Sequence, residues 1–111
     1  MITVAELPEY LRAAEKLLSE GERHDVIDYL SEHPRAGDLI EGTGGIRKLR
    51  WARGGRGKSG GVRVIYYVHS EIMPFYLLTL FGKNEQANLS KADRNALAKL
   101  VQILVDTWME K

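Results

Sequence analysis

Apolar positions along this chain recur first with the period of helices and then with the period of strands. "MITVAEL" alternates as a short strand does, and Pro8 suits the first turn of a following helix, where its missing N–H costs nothing. Within Pro8 to Ser19, Leu11, Ala14, Leu17 and Leu18 fall at helical spacing, and Gly21 is expected to end the run. A second helix is predicted from Glu22 to Ser31 with Val26, Ile27 and Leu30 on one face, stopped near His33 by Pro34. The two read as a hairpin with acidic faces toward solvent. "RAGDLIEGTGG" then serves as a glycine-punctuated connector.

From here the chain turns to β-rich runs, "PFYLLTLFG" being an apolar one closed by Gly82. Strands are predicted over Ile46 to Ala52, Val62 to His69 and Phe75 to Phe81, with "SEIMP" as the turn joining the last two. Ser90 opens a final helix, and Asp93 three residues on gives a weaker form of the capping box. In that helix Leu97, Leu100, Val101, Leu104, Val105 and Trp108 form an apolar stripe suited to core packing. The expectation is one α+β domain over residues 1–111, with its helices on one side of a mostly antiparallel sheet and the other sheet face left free.

Composition narrows the function classes. A chain of 111 residues suits one modest core, and the absence of cysteine excludes a disulfide framework and a thiolate metal site. No apolar run approaches a membrane span, and acids stand where a signal peptide would be basic, so a cytoplasmic protein without a membrane partner is expected. The net charge of +1 conceals a polarised chain. Residues 1–42 carry ten acids and four Lys or Arg, residues 43–70 carry no acid and seven Lys or Arg, and the remainder is balanced. Such an acid-free basic block is the footprint of a polyanion-binding surface.

At the centre of that block, "ARGGRGKSGG" (Ala52 to Gly61) satisfies a relaxed phosphate-loop pattern. A true phosphate loop leads from a strand into a helix, whereas "GGVRVIYYVHS" reads as a second strand. The stretch therefore reads as a basic connection between strands. Alternation places Lys48 and Arg50 on one face of the first central strand and Arg47, Leu49 and Trp51 on the other. Pairing with the next strand would bring Arg63 beside Lys48 and Arg50, with Lys58 as a backbone-phosphate contact from the loop. Basic groups gathered without acids suit a phosphodiester and its pentacoordinate transition state. Trp51 is read either as a base-stacking residue or as packing under the helices. Of Tyr66 and Tyr67, on opposite faces, at most one lines a site. His24 and His33 read as surface residues, His69 as a turn residue or an acid or base at a strand end, and Glu85 as a loop acid in preference to a general base; no spacing supports a metal.

The run from "GTGGIRKLRWARGGRGKSGGVRVIYYV" through "FYLLTLFGKNEQANLS" resembles the RelE/HigB family of bacterial toxins, in particular its HigB-like branch. The resemblance covers about residues 43–90: a Gly-Gly-hydrophobic-Arg-Lys-hydrophobic-Arg strand, a Gly/Lys/Arg loop, a Gly-Gly-x-Arg-x-Ile-Tyr-Tyr strand, and a last strand ending Gly-Lys-Asn-Glu. The flanking helices match in order and length. It implies the RelE-like fold, with a short N-terminal strand, a two-helix hairpin, the sheet and a C-terminal helix. It also implies a toxin of a toxin–antitoxin module acting as a ribosome-dependent endoribonuclease, which cuts messenger RNA at the ribosomal A site by 2′-OH attack, without a metal or other cofactor. The implied partners are the ribosome with its messenger and a cognate helix-turn-helix antitoxin, through which alone operator DNA would be contacted.

By the same resemblance Lys48 matches a catalytic strand lysine and Arg63 the arginine that holds the phosphate, with Arg50 and Lys83 as further catalytic candidates. Arg47, Arg53, Arg56, Lys58 and Tyr66 are the expected RNA-binding set. The chain departs from a well-studied branch, which has Arg just after the last strand and Tyr six residues later, where this sequence has Asn84 and Ser90. The source of the leaving-group proton stays open among Tyr66, Tyr67, Arg63 and ribosomal groups. Two other functions are compatible with the residues: a toxin of this fold that inhibits a non-RNA target such as DNA gyrase, and a non-catalytic nucleic-acid-binding module.

Overall fold

Strands that are apolar on both faces need cover on both faces, and this requirement shapes the molecule. The computed structural model describes residues 3–52, 61–70, 73–82 and 88–109. The elements, in chain order, are β1 (Val4–Glu6), α1 (Pro8–Leu17), α2 (Glu20–Glu32), β2 (Asp38–Leu39), β3 (Arg47–Trp51), β4 (Val62–Tyr67), β5 (Phe75–Gly82) and α3 (Lys91–Met109). They form an α+β fold around a five-stranded mixed sheet ordered β1-β5-β4-β3-β2. β1 runs parallel to β5, and the other neighbours are antiparallel. The architecture is consistent with the expected RelE-like fold.

One sheet face is closed by α1 and α2. Tyr10 and Ala14 from the first helix, Leu18 just after it, and Val26 and Leu30 from the second pack on Leu49, Val62, Val64, Tyr66, Phe75, Leu77 and Leu80. The opposite face is not left free as expected, because α3 covers part of it: Leu97 and Val101 pack with Ile65, Tyr67, Tyr76, Leu78 and Phe81. Alternation explains the correction. Ile65 and Tyr67 are as apolar as Val64 and Tyr66, so burying only one set would have left a large apolar patch in water. The α3 stripe does the covering, and Trp108 Nε1 donates to Tyr76 Oη at 2.8 Å near the end of the helix.

Local chemistry sets the element boundaries. Gly21 does not end α1 but lies inside α2, because Ser19 starts the second helix with a full capping box: Glu22 N–H donates to Ser19 Oγ and Ser19 N–H to Glu22 Oε1. Ser90 caps α3 as expected, accepting from Asp93 N–H at 3.0 Å. In the connector, Thr43 is buried, donating to Ile40 O and accepting from Ile46 N–H, which returns the chain from β2 into β3. Gly37 admits no side chain. A Cβ there would lie 2.8 Å from Tyr66 Oη, which instead accepts a hydrogen bond from Gly37 N–H. Glu85 and part of the "SEIMP" turn lie outside the described residues.

Candidate nucleic-acid interface

The register of β3 against β4 decides which basic side chains share a surface. Arg50 pairs directly with Arg63, and Lys48 with Ile65 one row away. Opposed residues in an antiparallel pair point to the same side, so Lys48, Arg50 and Arg63 lie together on the face that also carries Ile65 and Tyr67. By register Arg63 stands beside Phe81 and Lys48 beside Ile65, both members of the cluster under α3. Arg50 is exposed, while Lys48 and Arg63 are half-buried.

Directly opposed like charges destabilise a sheet. Among the described residues neither arginine has an ion-pair partner to offset this. Lys48 is held differently, its Nζ donating to Asn88 Oδ1 at 2.8 Å from the segment that leads into α3. Asn88 was not singled out from the sequence, since nothing local marks a residue 40 positions away as a neighbour of Lys48. The arrangement presents three cations in two adjacent rows, two of them able to donate in pairs to phosphate oxygens.

Two expected RNA-binding residues are used elsewhere. Arg47 points to the α2 side of the sheet, where Nη1 donates to Gly37 O at 2.8 Å and Arg35 O at 3.3 Å, tying the connector to β3. Tyr66 is fully buried, stacked on Phe75 with ring centroids 5.0 Å apart and planes 6° from parallel. It cannot stack on a base, because the α1/α2 core encloses it. Burial pushes its phenol above the ordinary range, more strongly than the Gly37 hydrogen bond and Arg47 pull it down. Tyr67 is also buried and raised by burial, and its hydroxyl shares a 2.9 Å hydrogen bond with His69 Nδ1. Trp51 takes the packing role, half-buried against the α2 side and edge-on to Tyr29.

Lys83, Arg53, Arg56 and Lys58 lie outside the described residues. Among the described residues no group of three or more His, Cys, Asp or Glu could hold a metal, and no helix is long and apolar enough to cross a membrane. A separate groove of about 630 Å³ opens between α1, α3 and the end of β5, lined by both charge signs (Glu9, Arg12, Lys16, Asp93) and by Leu80 and Phe81. Its mixed charge contrasts with the facing Arg50 and Arg63 of β3 and β4. A comparison with protein families matches residues 11–111 to the model described as the RelE toxin of the RelE/RelB toxin–antitoxin system.

Proposed function

Because the chain belongs to the RelE toxin family of toxin–antitoxin systems, we propose that it is a ribosome-dependent endoribonuclease that cuts messenger RNA in the A site and is held inactive by a cognate antitoxin. The observation that carries this reading is the Arg50–Arg63 pair facing each other across β3 and β4 with Lys48 on the same face. A fold gains nothing from opposing two arginines, whereas a phosphodiester between them relieves their repulsion and is gripped by both.

The reaction that fits is internal transfer. The ribose 2′-oxygen attacks the adjacent phosphorus, the bond to the 5′-oxygen breaks, and the upstream fragment ends in a 2′,3′-cyclic phosphate. Arg63 and Arg50 hold the non-bridging oxygens, whose charge grows in the phosphorane. Lys48, oriented by Asn88, assists removal of the 2′-OH proton. Lys83 is retained as a further candidate from the end of the last strand. The HigB-like assignment rests on the strand motifs around Lys48 and Arg63 and on "GKNE", and with it comes the proposal of a helix-turn-helix antitoxin.

Induced expression of wild type, Lys48→Ala and Arg63→Ala in a bacterial host, with growth followed and messenger 5′ ends mapped, tests the proposal. Growth arrest with new cuts inside translated codons, absent in both variants, is expected. Arrest without cuts would replace it with a non-nuclease target such as gyrase, and unimpaired growth would leave a binding module.

A further inference from the structure

β2 covers β3 only at Arg47 and Lys48. Among the described residues, the end of β3 from Leu49 to Trp51 is therefore an open sheet edge with β4 on one side alone. Arg50 and Trp51 are consecutive there, their Cα atoms about 3.8 Å apart, and alternation sends them to opposite faces. The phosphate-binding face and the α2 side thus meet along one short line.

On the α2 side that line ends in an aromatic group. Trp51 meets Tyr29 edge-on, with ring centroids 5.8 Å apart and planes at 64°. Tyr29 in turn lies 4.9 Å from His33 at 45°. Tyr29 is 40% exposed, so a ring of this size leaves much of its surface in water. Beside it is a shallow pocket of about 370 Å³ lined by Tyr29, His33, Pro34, Arg35 and Ala36. The Arg47 hydrogen bonds to Arg35 O and Gly37 O fix the backbone of this segment against β3. The exposed ring of Tyr29 with the tilted His33 ring, a proline and one cation make a site for a planar polar ring. The pocket is less suited to phosphate, because the Glu32 carboxylate is 4.0 Å from His33 Nε2 at its rim.

We propose that this pocket receives the base of a nucleotide neighbouring the one gripped by Arg50 and Arg63, so that a single RNA strand passes over the open end of β3. The phosphates stay on the face of Arg50 and Arg63, away from Asp38 at the Lys48 end, and the base turns over the edge onto Tyr29 and His33. The inference rests on the RNA-directed reading above for the strand at Arg50, but it concerns binding and is measured without cleavage.

The test uses the full chain and a fluorescein-labelled single-stranded oligoribonucleotide, roughly ten nucleotides long as suits ordinary single-strand sites, beside an abasic oligomer of the same backbone. Binding is followed by anisotropy at low salt. Tyr29→Ala should weaken binding of the base-bearing oligomer by roughly five- to 150-fold, the span expected for losing one stacked base, while Tyr29→Phe retains it. The abasic oligomer should bind all three proteins alike, and Arg50→Ala should weaken both oligomers. Thermal unfolding checks that Tyr29→Ala remains folded, and His33→Ala, at an exposed helix end, repeats the test if it does not. Equal binding by Tyr29→Ala and wild type, or an equal loss on the abasic oligomer, overturns the pocket. So does a Tyr29→Ala protein that keeps its RNA but loses its antitoxin, which would make the patch a protein contact. If the base-dependent loss appears while wild type cuts no messenger, the nuclease reading fails and the pocket stands; if messenger is cut but the loss is absent, the reverse holds.

Discussion

Under the proposed function, Arg50 and Arg63 are opposed at the expense of the fold. Opposed like charges cost a sheet on the order of 0.2–1 kcal/mol, so Arg50→Ala should raise the thermal midpoint slightly while weakening RNA binding and cleavage. A fall in both stability and binding would instead assign Arg50 to the architecture. Tyr66 shows the opposite case. Its hydroxyl accepts from Gly37 N–H in the buried core, and Tyr66→Phe leaves that donor unpaired, at a cost of about 1–3 kcal/mol, measurable by denaturant unfolding with cleavage unchanged. Tyr10, Tyr66 and Tyr67 also share a pH signature. Burial is the leading cause that raises all three above their ordinary value of 10.0, with Glu6 adding to the effect at Tyr10. The native state therefore keeps phenolic protons that the unfolded chain releases. Their contribution is intact below about pH 10 and is lost as pH rises through the raised values. Unfolding free energy measured from pH 8 to 12 should fall on the alkaline side, and a flat profile there would contradict the buried placement of these hydroxyls.

Elements with a long periodic signal were legible in the sequence, and those defined by a partner were not. The α3 stripe from Leu97 to Trp108 follows from side-chain period, and β4 and β5 from their β-rich apolar runs bounded by glycine, which is why their positions are met closely. β2 is only Asp38–Leu39 and has no pattern of its own; it exists because it pairs with Arg47 and Lys48. The boundary between α1 and α2 is set by Ser19 with Glu22 three residues on, a stronger signal than Gly21, which lies inside α2. That capping box makes a test of the second helix: Ser19→Ala should cost about 1 kcal/mol in unfolding free energy, and no loss would show that packing alone starts α2. Of the candidate site, the convergence of Lys48, Arg50 and Arg63 was readable from alternation and strand order. The carbonyl contacts of Arg47 and the enclosure of Tyr66 were not, because both depend on where the connector around Gly37 returns to the sheet.

Taken whole, the molecule separates its charges. Acids crowd the front third of the chain, and the central segment from residue 43 to residue 70 has none. The fold converts that segregation into a cationic surface by laying β3 beside β4, while α3 closes only part of the same face. RNA binding should accordingly weaken steeply with salt, and Arg63→Ala should reduce the logarithmic salt slope by about 0.7, the value for one contact to a single-strand phosphate. The enzymatic reading is tested most directly on purified ribosomes stalled with a defined messenger, by adding the protein and identifying both the cut position and the chemistry of the new end. The prediction is cleavage within the A-site codon leaving a 2′,3′-cyclic phosphate on the upstream fragment, abolished in Lys48→Ala and Arg63→Ala. An intact messenger under conditions where the protein arrests growth, or a cut that leaves a free 3′-hydroxyl, would contradict it.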